Sequence, residues 1–189
     1  MNFITTEIPG VLLLKPLVFE DDRGYFMEIF RANVFNTHGP KTTYVQQSES
    51  KSKYGVIRGL HYQLPPHAQT KIVRVVAGKV IDVAVDIRRD SPAFGRHVSV
   101  ELSSGNKHML VIPRGFAHGF AVLSDSAIIN YMVDNYYAPG SERGIVYNDP
   151  ALGIDWKLPS QEVELSRKDS EYPELKNAEV FETGTHLYD

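Results

Sequence analysis

The sequence contains no cysteine among its 189 residues, which excludes disulfide bonds and thiolate chemistry. It also lacks a long apolar run, since no segment approaches the roughly 18 apolar residues that span a membrane, and the first residues do not form a secretory signal. An excess of one charge is absent too, because the formal net charge is −3. We therefore expect a cytoplasmic protein with neither nucleic acid nor a membrane as its partner.

The chain is rich in aromatic and turn-forming residues. Ten tyrosines and nine phenylalanines suit a β-rich core or an aromatic-lined pocket. Over residues 40–135, turn signals recur roughly every 8–12 residues, a spacing typical of antiparallel sandwiches. We expect an all-β antiparallel sandwich or jelly roll rather than βαβ units, with a few short helices near its N- and C-terminal parts. The length predicts a single domain over residues 1–189, with a looser tail from about residue 160.

Local patterns place individual elements. Ala32–His38 is predicted to form a short helix that ends at Gly39-Pro40, and residues 165–169 are predicted to open another. Over residues 80–88, apolar residues alternate with Asp82, Ala84 and Asp86, which predicts a strand with one side in the core and one in solvent. Residues 44–48 predict a short strand that continues into a polar loop over residues 49–54.

The stretch from Gly55 to Arg74 concentrates the polar chemistry. It carries two arginines, two histidines and one lysine among apolar β-forming residues, and Pro65-Pro66 divides it into two strands. A group of this composition suits an anionic ligand that carries a carbonyl. A basic hairpin rim that faces water explains the same stretch equally well.

Taken one at a time, the candidate residues have structural explanations. His61 lies inside an apolar strand, where a histidine is more often a hydrogen-bonded core residue than a catalyst. Lys71 either marks the solvated end of a strand or faces inward, in which case its ammonium needs a partner. Tyr131 shares a strand face with apolar residues and fits a core aromatic. Asp169 ends a Ser-x-x-Asp pattern, which is a capping box at a helix start.

His118 belongs to a Pro-x-Gly-x-x-His pattern that resembles the second half of the cupin signature, in which such a histidine binds a metal. The first half requires a His-x-His pair and a downstream glutamate. The region of His61 reads His-Tyr-Gln and supplies no such set, so too few ligands remain for a site of two histidines and one carboxylate. We expect no metal.

The order of the motifs carries more information about function than any single residue does. The motifs are Asp-Arg-Gly-x-Phe-x-Glu at 22–28, Arg-Gly-Leu-His-x-Gln at 58–63, Pro-x-Gly-Phe-Ala-His-Gly-Phe at 113–120, Asn-x-Tyr at 135–137 and Asp-Pro-x-Leu-Gly-Ile-x-Trp at 149–156. This series, with Lys71 after the second motif, resembles the dTDP-4-dehydrorhamnose 3,5-epimerase family over Phe19 to Asp169. The resemblance implies a homodimeric, cupin-like jelly roll without metal or organic cofactor. Its substrate would be dTDP-4-keto-6-deoxyglucose, inverted at C3 and C5 on the way to dTDP-rhamnose.

By the same resemblance, His61 is the base, oriented and made more basic by Asp169. Lys71 stabilises the enolate at the C4 oxygen, and Tyr131 is the acid that returns a proton from the opposite face. These roles fit the chemistry, because a ketone acidifies both adjacent carbons and each inversion needs a base, an acid and a group that stabilises the enolate.

The resemblance also implies a binding set. Arg23 and Arg58 would hold the diphosphate, since guanidinium groups match phosphate oxygens. The other positions expected to bind substrate are Glu28, Gln46, Ser48, His118, Tyr137, Glu142 and Lys168, with Tyr137 stacking on thymine. Ser48 replaces an asparagine that is common in the family. Because N-terminal strands cross to the partner subunit in this family, we expect Arg23 and Glu28 to serve the neighbouring site.

Three other functions compete with this interpretation. A relative that inverts only C3 or only C5 would keep the His61–Asp169 pair, and the presence of Tyr131 favours the double epimerase over it. A non-catalytic cupin-like sugar or nucleotide binder would be favoured if Lys71 or Tyr131 were replaced, and neither is. A metal-dependent cupin oxygenase would contain a metal ion.

Overall fold

Two antiparallel β-sheets lie face to face in the computed structural model, which describes residues 1–188. Strands are numbered in chain order. The six-stranded sheet runs, in spatial order, through β1 (Asn2–Thr5), β2 (Leu12–Lys15), β10 (Met109–Ile112), β7 (Lys71–Ala77), β12 (Ser126–Val133) and β5 (Gln46–Lys53). The five-stranded sheet runs through β13 (Glu142–Gly144), β6 (Ile57–Gln63), β11 (Phe116–Val122), β8 (Lys79–Asp86) and β9 (His97–Ser103). This is the antiparallel, cupin-like jelly roll that the turn spacing allowed and the family resemblance implied.

Helices are few and short. The predicted N-terminal helix is confirmed as α1 (Ala32–His38), which ends at Gly39, and α2 (Arg167–Ser170) lies in the predicted C-terminal region. Single 3-10 turns occupy Pro139–Ser141, Ser160–Glu162 and Leu175–Asn177. Within residues 1–188, none of the helices is long and apolar enough to cross a membrane.

Strand β8 is buried on both sides, so the prediction that one side faces solvent is wrong. Val80 and Ala84 pack between the two sheets, whereas Ile81 and Val83 face a second apolar cluster on the outer side. Asp82, on the side expected to be polar and wet, is 0% exposed. The alternation was read correctly, but the side that carries Asp82 faces the other sheet, and a distant segment that the local sequence does not reveal covers the apolar outer side.

That covering segment is the C-terminal part of the chain. Residues after Ser160 contain little regular secondary structure, yet Leu175, Val180 and Phe181 are buried against the five-stranded sheet. The backbone of Phe181 exchanges hydrogen bonds with the loop after β8, donating to Ile87 and accepting from Arg89. This end of the chain therefore forms part of the apolar core.

Residues 49–53 form strand rather than the predicted loop. They belong to β5, which pairs with β12 from Gln46 opposite Val133 to Lys53 opposite Ser126. Because β5 is an edge strand with its outward side in water, polar side chains are compatible with it. The same register places Ser48 opposite Tyr131.

A small hairpin, β3 (Val18–Asp21) and β4 (Gly24–Met27), forms a separate two-stranded sheet. Its apolar side chains are unusually exposed to solvent: Phe19 is 58% exposed and Phe26 is 70% exposed. A turn at Asp22 and Arg23 joins the strands. A two-stranded hairpin is marginally stable alone, and exposed apolar surface of this kind marks a contact site.

The packing of the C-terminal segment can be tested by truncating one of its side chains. Phe181→Ala removes a buried ring and should lower the free energy of unfolding by about 3–5 kcal/mol. The matched control is Glu182→Ala, an exposed neighbour whose loss should change stability by less than about 0.5 kcal/mol. Chemical denaturation measures both, and equal, small effects would show that this segment adds nothing to the core.

Candidate active site

A cavity of about 360 Å³ opens between the two sheets. Both sheets contribute to its wall, which is largely apolar with several polar groups pointing inward, as in most small-molecule sites. Its lining residues are Gln46, Ser48, Arg58, His61, Tyr62, Gln63, Gln69, Lys71, His118, Phe120, Tyr131, Val133, Tyr137 and Glu142.

An irregularity in β6 brings Arg58 and His61 to the same cavity. The two residues are three positions apart and would lie on opposite faces of a regular strand. Between them the pairing with β11 shifts, so that His61 lies opposite His118 and Arg58 opposite Phe120. Gly59 occupies the shift with a φ of +129°, and a Cβ there would lie 2.5 Å from the Cα of Gly119. A side chain therefore does not fit at this point.

His61 and Asp169 form a close pair at the cavity wall. The Nε2 atom of His61 lies 2.5 Å from Oδ1 of Asp169, whose carboxylate is almost fully buried. Burial acts to raise the pKa of Asp169, but hydrogen bonds from His61 and Ser166, with the charge of Lys168, outweigh it and lower that pKa. The carboxylate therefore stays ionised and accepts a hydrogen bond from the imidazole of His61.

The capping pattern at Asp169 is present beside this pair. The Oγ atom of Ser166 accepts a hydrogen bond from the backbone N–H of Asp169 at 3.1 Å and caps α2. The carboxylate of Asp169 is left to bind His61. One residue therefore belongs both to the helix start and to the cavity, and the two sequence interpretations are compatible.

Lys71 and Tyr131 face the cavity from the opposite sheet. In the β7–β12 pairing, Tyr131 lies opposite Val73 and Val133 opposite Lys71, so the two polar residues are diagonal neighbours on one face. Burial lowers the pKa of Lys71 to about 8, although the charges of Glu142 and Asp82 act to raise it. An ammonium in such a place is stabilised when negative charge develops beside it.

His118 is bound to a carboxylate that the sequence analysis did not place in the site. Its Nε2 atom lies 3.0 Å from Oδ1 of Asp82, and both side chains are buried. The sequence analysis predicted that Asp82 faces solvent. The one sign of its burial was its position inside a strongly apolar strand. Over the described part of the chain, no three His, Cys, Asp or Glu side chains cluster in a way that could hold a metal ion.

Glu142 organises the rim of the cavity. It accepts hydrogen bonds from the Tyr137 hydroxyl at 2.8 Å and from Nζ of Lys168 at 2.9 Å. Burial acts to raise the pKa of Glu142, and these donors more than offset it, so the pKa falls. The backbone N–H of Tyr137 donates in turn to Oε1 of Gln46 at 3.0 Å.

Gln63 is a second residue that the sequence analysis left out of the site set. Its amide nitrogen donates to the carbonyls of His67 and Tyr136, at 2.7 and 3.2 Å, and its oxygen accepts from the N–H of Ala138 at 2.7 Å. The buried amide thus fixes the loop that carries Tyr137. Its presence in the Arg-Gly-Leu-His-x-Gln motif was the available signal.

The predicted site residues fall into two groups. Nine of them line the cavity, and Asp169 and Lys168 contact members of that wall, His61 and Glu142. Arg23 and Glu28 do not reach it within this chain. Arg23 pairs with Asp21 on the exposed hairpin with its side chain 90% exposed, and Glu28 pairs with Arg31.

Comparison with known proteins assigns this site to a class. A family model described as dTDP-4-dehydrorhamnose 3,5-epimerase matches residues 5–177. The dTDP-4-dehydrorhamnose 3,5-epimerase of Shigella flexneri is 52% identical over 182 residues, which cover 96% of this chain and 99% of the relative.

Solved structures agree with the sequence matches. The dTDP-6-deoxy-D-glucose-3,5-epimerase of Legionella pneumophila, in complex with dTDP-4-keto-L-rhamnose, has a TM-score of 0.93 and 44% identity, with 97% of this chain and 99% of that chain covered. A 3'-monoepimerase of Streptomyces bikiniensis, in complex with dTDP-quinovose, has a TM-score of 0.83 and 33% identity, with coverages of 90% and 86%. Fold and relatives define a carbohydrate epimerase, an isomerase. The chain belongs to the dTDP-4-dehydrorhamnose 3,5-epimerase family, which confirms the resemblance of the ordered motifs.

The lowered pKa of Lys71 predicts a pH-dependent cost to stability. The pKa is about 8 in the folded protein against 10.5 for an ordinary lysine, so the unfolded chain binds more protons between these pH values. The cost is therefore complete below pH 8 and fades as the pH rises toward 10.5. At pH 7, Lys71→Met should stabilise the substrate-free protein by on the order of 2–3 kcal/mol.

Denaturation of both proteins at pH 7, 8, 9 and 10 measures the difference. The exposed Lys51, changed in the same way, is the matched control and should show no such trend. A stability gap between wild type and Lys71→Met that stays constant from pH 7 to pH 10 would contradict the assignment.

Proposed function

We propose that this protein is a dTDP-4-dehydrorhamnose 3,5-epimerase that inverts C3 and C5 of dTDP-4-dehydro-6-deoxy-D-glucose. The observation that carries the proposal is the division of the polar groups between the two sheets. The His61–Asp169 pair enters the cavity from the five-stranded sheet, whereas Lys71 and Tyr131 enter from the six-stranded sheet. A sugar ring held between them has a base on one face and an acid on the other.

The chemistry follows from this arrangement. One nitrogen of His61 is bound to Asp169, and the other accepts the proton from the carbon next to the C4 ketone. The electron pair of the broken C–H bond moves to the C4 oxygen, where Lys71 stabilises the enolate. Tyr131 gives its hydroxyl proton to the same carbon from the opposite face, which inverts it.

The steps then repeat at the second carbon after protons are exchanged with water. His61 loses the proton it has gained and Tyr131 recovers the one it has given, so the enzyme returns to its starting state. Asp169 lowers the free energy of the imidazolium between these events. No step requires a metal or an organic cofactor.

The nucleotide part of the substrate is assigned to the rim. Arg58, whose Nε donates to Ser52 at 3.0 Å, holds the diphosphate together with Arg23 of the neighbouring subunit. Tyr137 stacks on thymine, and Gln46, Ser48 and Glu28 contact the nucleotide. The remaining binding positions are His118, Glu142 and Lys168.

A homodimer completes the site in this proposal. The β3–β4 hairpin carries Arg23 and exposes Leu17 (59%), Phe19 (58%), Tyr25 (54%) and Phe26 (70%). Such a surface is stabilised by docking on another subunit, and a two-fold axis lets each hairpin reach the other subunit's cavity. The cytoplasmic location expected from the sequence stays a prediction.

Inversion at a single carbon is the second candidate function. The likeness to a 3'-monoepimerase favours it, since that enzyme shares the fold at a TM-score of 0.83. The higher identity to 3,5-epimerases favours double inversion.

Solvent exchange distinguishes these functions. We expect the protein, incubated with dTDP-4-keto-6-deoxyglucose in D₂O and a coupled 4-reductase, to place deuterium at both C3 and C5, as read by proton NMR. His61→Ala should abolish this uptake while binding of thymidine diphosphate persists. Full deuterium uptake by His61→Ala would show that His61 is not the base.

The same assay separates the remaining outcomes. Tyr131→Phe should slow completed inversion more than deuterium uptake, because a proton returned from the His61 side gives exchange without inversion. Label at one carbon alone supports the single epimerase. If neither carbon takes up deuterium while the nucleotide still binds, the protein is a binding protein and the enzymatic function is rejected.

Mixed dimers test the shared site. Neither Arg23→Ala nor His61→Ala should be active alone, but a mixture that has exchanged subunits contains dimers with one intact site. A random one-to-one mixture should regain about a quarter of wild-type activity, since about half of the dimers are mixed and each holds one good site. No recovery after confirmed subunit exchange would place Arg23 in its own subunit's site.

A further inference from the structure

The strand next to His61 has a glycine where a side chain would otherwise stand. Gly144 of β13 lies directly opposite His61 of β6. Residues directly opposite in an antiparallel pair point to the same face of the sheet. The imidazole therefore has no neighbour from β13 itself on that side.

The ring of Tyr172 fills this space. A Cβ placed on Gly144 would lie 2.4–2.5 Å from three ring atoms of Tyr172, closer than real contacts allow. The ring centroids of Tyr172 and His61 are 5.7 Å apart with an interplanar angle of 68°, an edge-on arrangement that aromatic rings prefer. The tyrosine thus covers the side of the imidazole that the glycine leaves bare.

The same short segment carries the partner of His61 on its other side. Asp169 lies in α2 and Tyr172 follows it by three residues, so both groups reach the imidazole from one turn of the chain. The N–H of Val146 donates to the carbonyl of Pro173 at 2.9 Å, which fixes the segment to the residues after β13. His61 is held between a carboxylate and an aromatic ring that move together.

We propose that Tyr172 is a positioning residue for the base: its ring holds the imidazole of His61 in line with Asp169 and keeps water from that side. This inference rests on the proposed function, because it assigns a task to the ring only if His61 transfers a proton. The hydroxyl of Tyr172 makes a hydrogen bond with Lys168 at the rim but does not hold the imidazole, so the ring of phenylalanine suffices to keep kcat.

Three variants separate this role from general packing. Tyr172→Ala should lower kcat about 10- to 100-fold, the loss that a small displacement of a reacting group causes, with KM changed less than about threefold. Tyr172→Phe should keep kcat within about twofold of wild type. Tyr54→Ala, at an exposed tyrosine outside the cavity, is the matched control and should leave both constants unchanged. Equal kcat in Tyr172→Ala and wild type would overturn the proposal.

Gly144→Ala approaches the contact from the opposite strand. The φ of Gly144 lies outside the left-handed region, and the three atoms nearest to an added Cβ all belong to the ring of Tyr172, so this ring is the first obstacle that alanine meets. We expect Gly144→Ala to lower kcat as Tyr172→Ala does, and the double variant to lose no more than Tyr172→Ala alone, because the obstacle is then gone. If the kcat losses of the two single variants multiply in the double variant, Gly144 acts independently of the ring. That result would overturn the shared contact.

A readout without turnover keeps this inference distinct from the proposed function. In substrate-free protein with ¹³C-labelled histidine, the His61 ring signal, assigned by its absence in His61→Ala, should shift in Tyr172→Ala and stay near its wild-type position in Tyr172→Phe. An unshifted signal in Tyr172→Ala rejects the contact whatever the activity. If the signal shifts in Tyr172→Ala but the wild-type protein exchanges no deuterium, the contact exists and the proposed function is rejected. The role of the ring in catalysis is then rejected as well.

Discussion

The hydrogen bond between His61 and Asp169 joins two parts of the chain that are 108 positions apart. It fixes the C-terminal segment to the mouth of the jelly roll, and the same segment closes the outer face of the five-stranded sheet with Leu175, Val180 and Phe181. Stability and chemistry are therefore coupled. A change that loosens the apolar cover also withdraws the carboxylate that a protonated His61 needs.

Electrostatic conditions differ on the two sides of the cavity. On the five-stranded sheet, each of the two histidines that line the cavity has its own carboxylate, His61 with Asp169 and His118 with Asp82. On the six-stranded sheet, Lys71 has only a 3.4 Å contact from its Nζ to the carbonyl of His61. Lys71 is thus poorly satisfied in the substrate-free protein and gains a partner when an enolate forms. This is preorganisation at the cost of some folding free energy.

The sequence predicted the fold class, the helix Ala32–His38 and the family, because periodic alternation, turn residues and ordered motifs are local signals. It failed where the deciding contact is remote. Residues 49–53 look like a loop until β12 pairs with them, and Asp82 looks exposed until the cavity and the C-terminal segment bury the strand on both sides. Gln63 and Tyr172 were missed for the same reason, since their tasks are defined by the partners that folding brings to them.

The covering segment follows all thirteen strands in the sequence, and this order has a consequence for synthesis. Until the residues after Ser160 have been made, the outer face of the five-stranded sheet, with Ile81, Val83 and Val85, lacks much of its cover. Contacts between residues so distant in sequence also form slowly. The nascent protein therefore passes through an interval in which this apolar face is exposed and His61 has no carboxylate beside it.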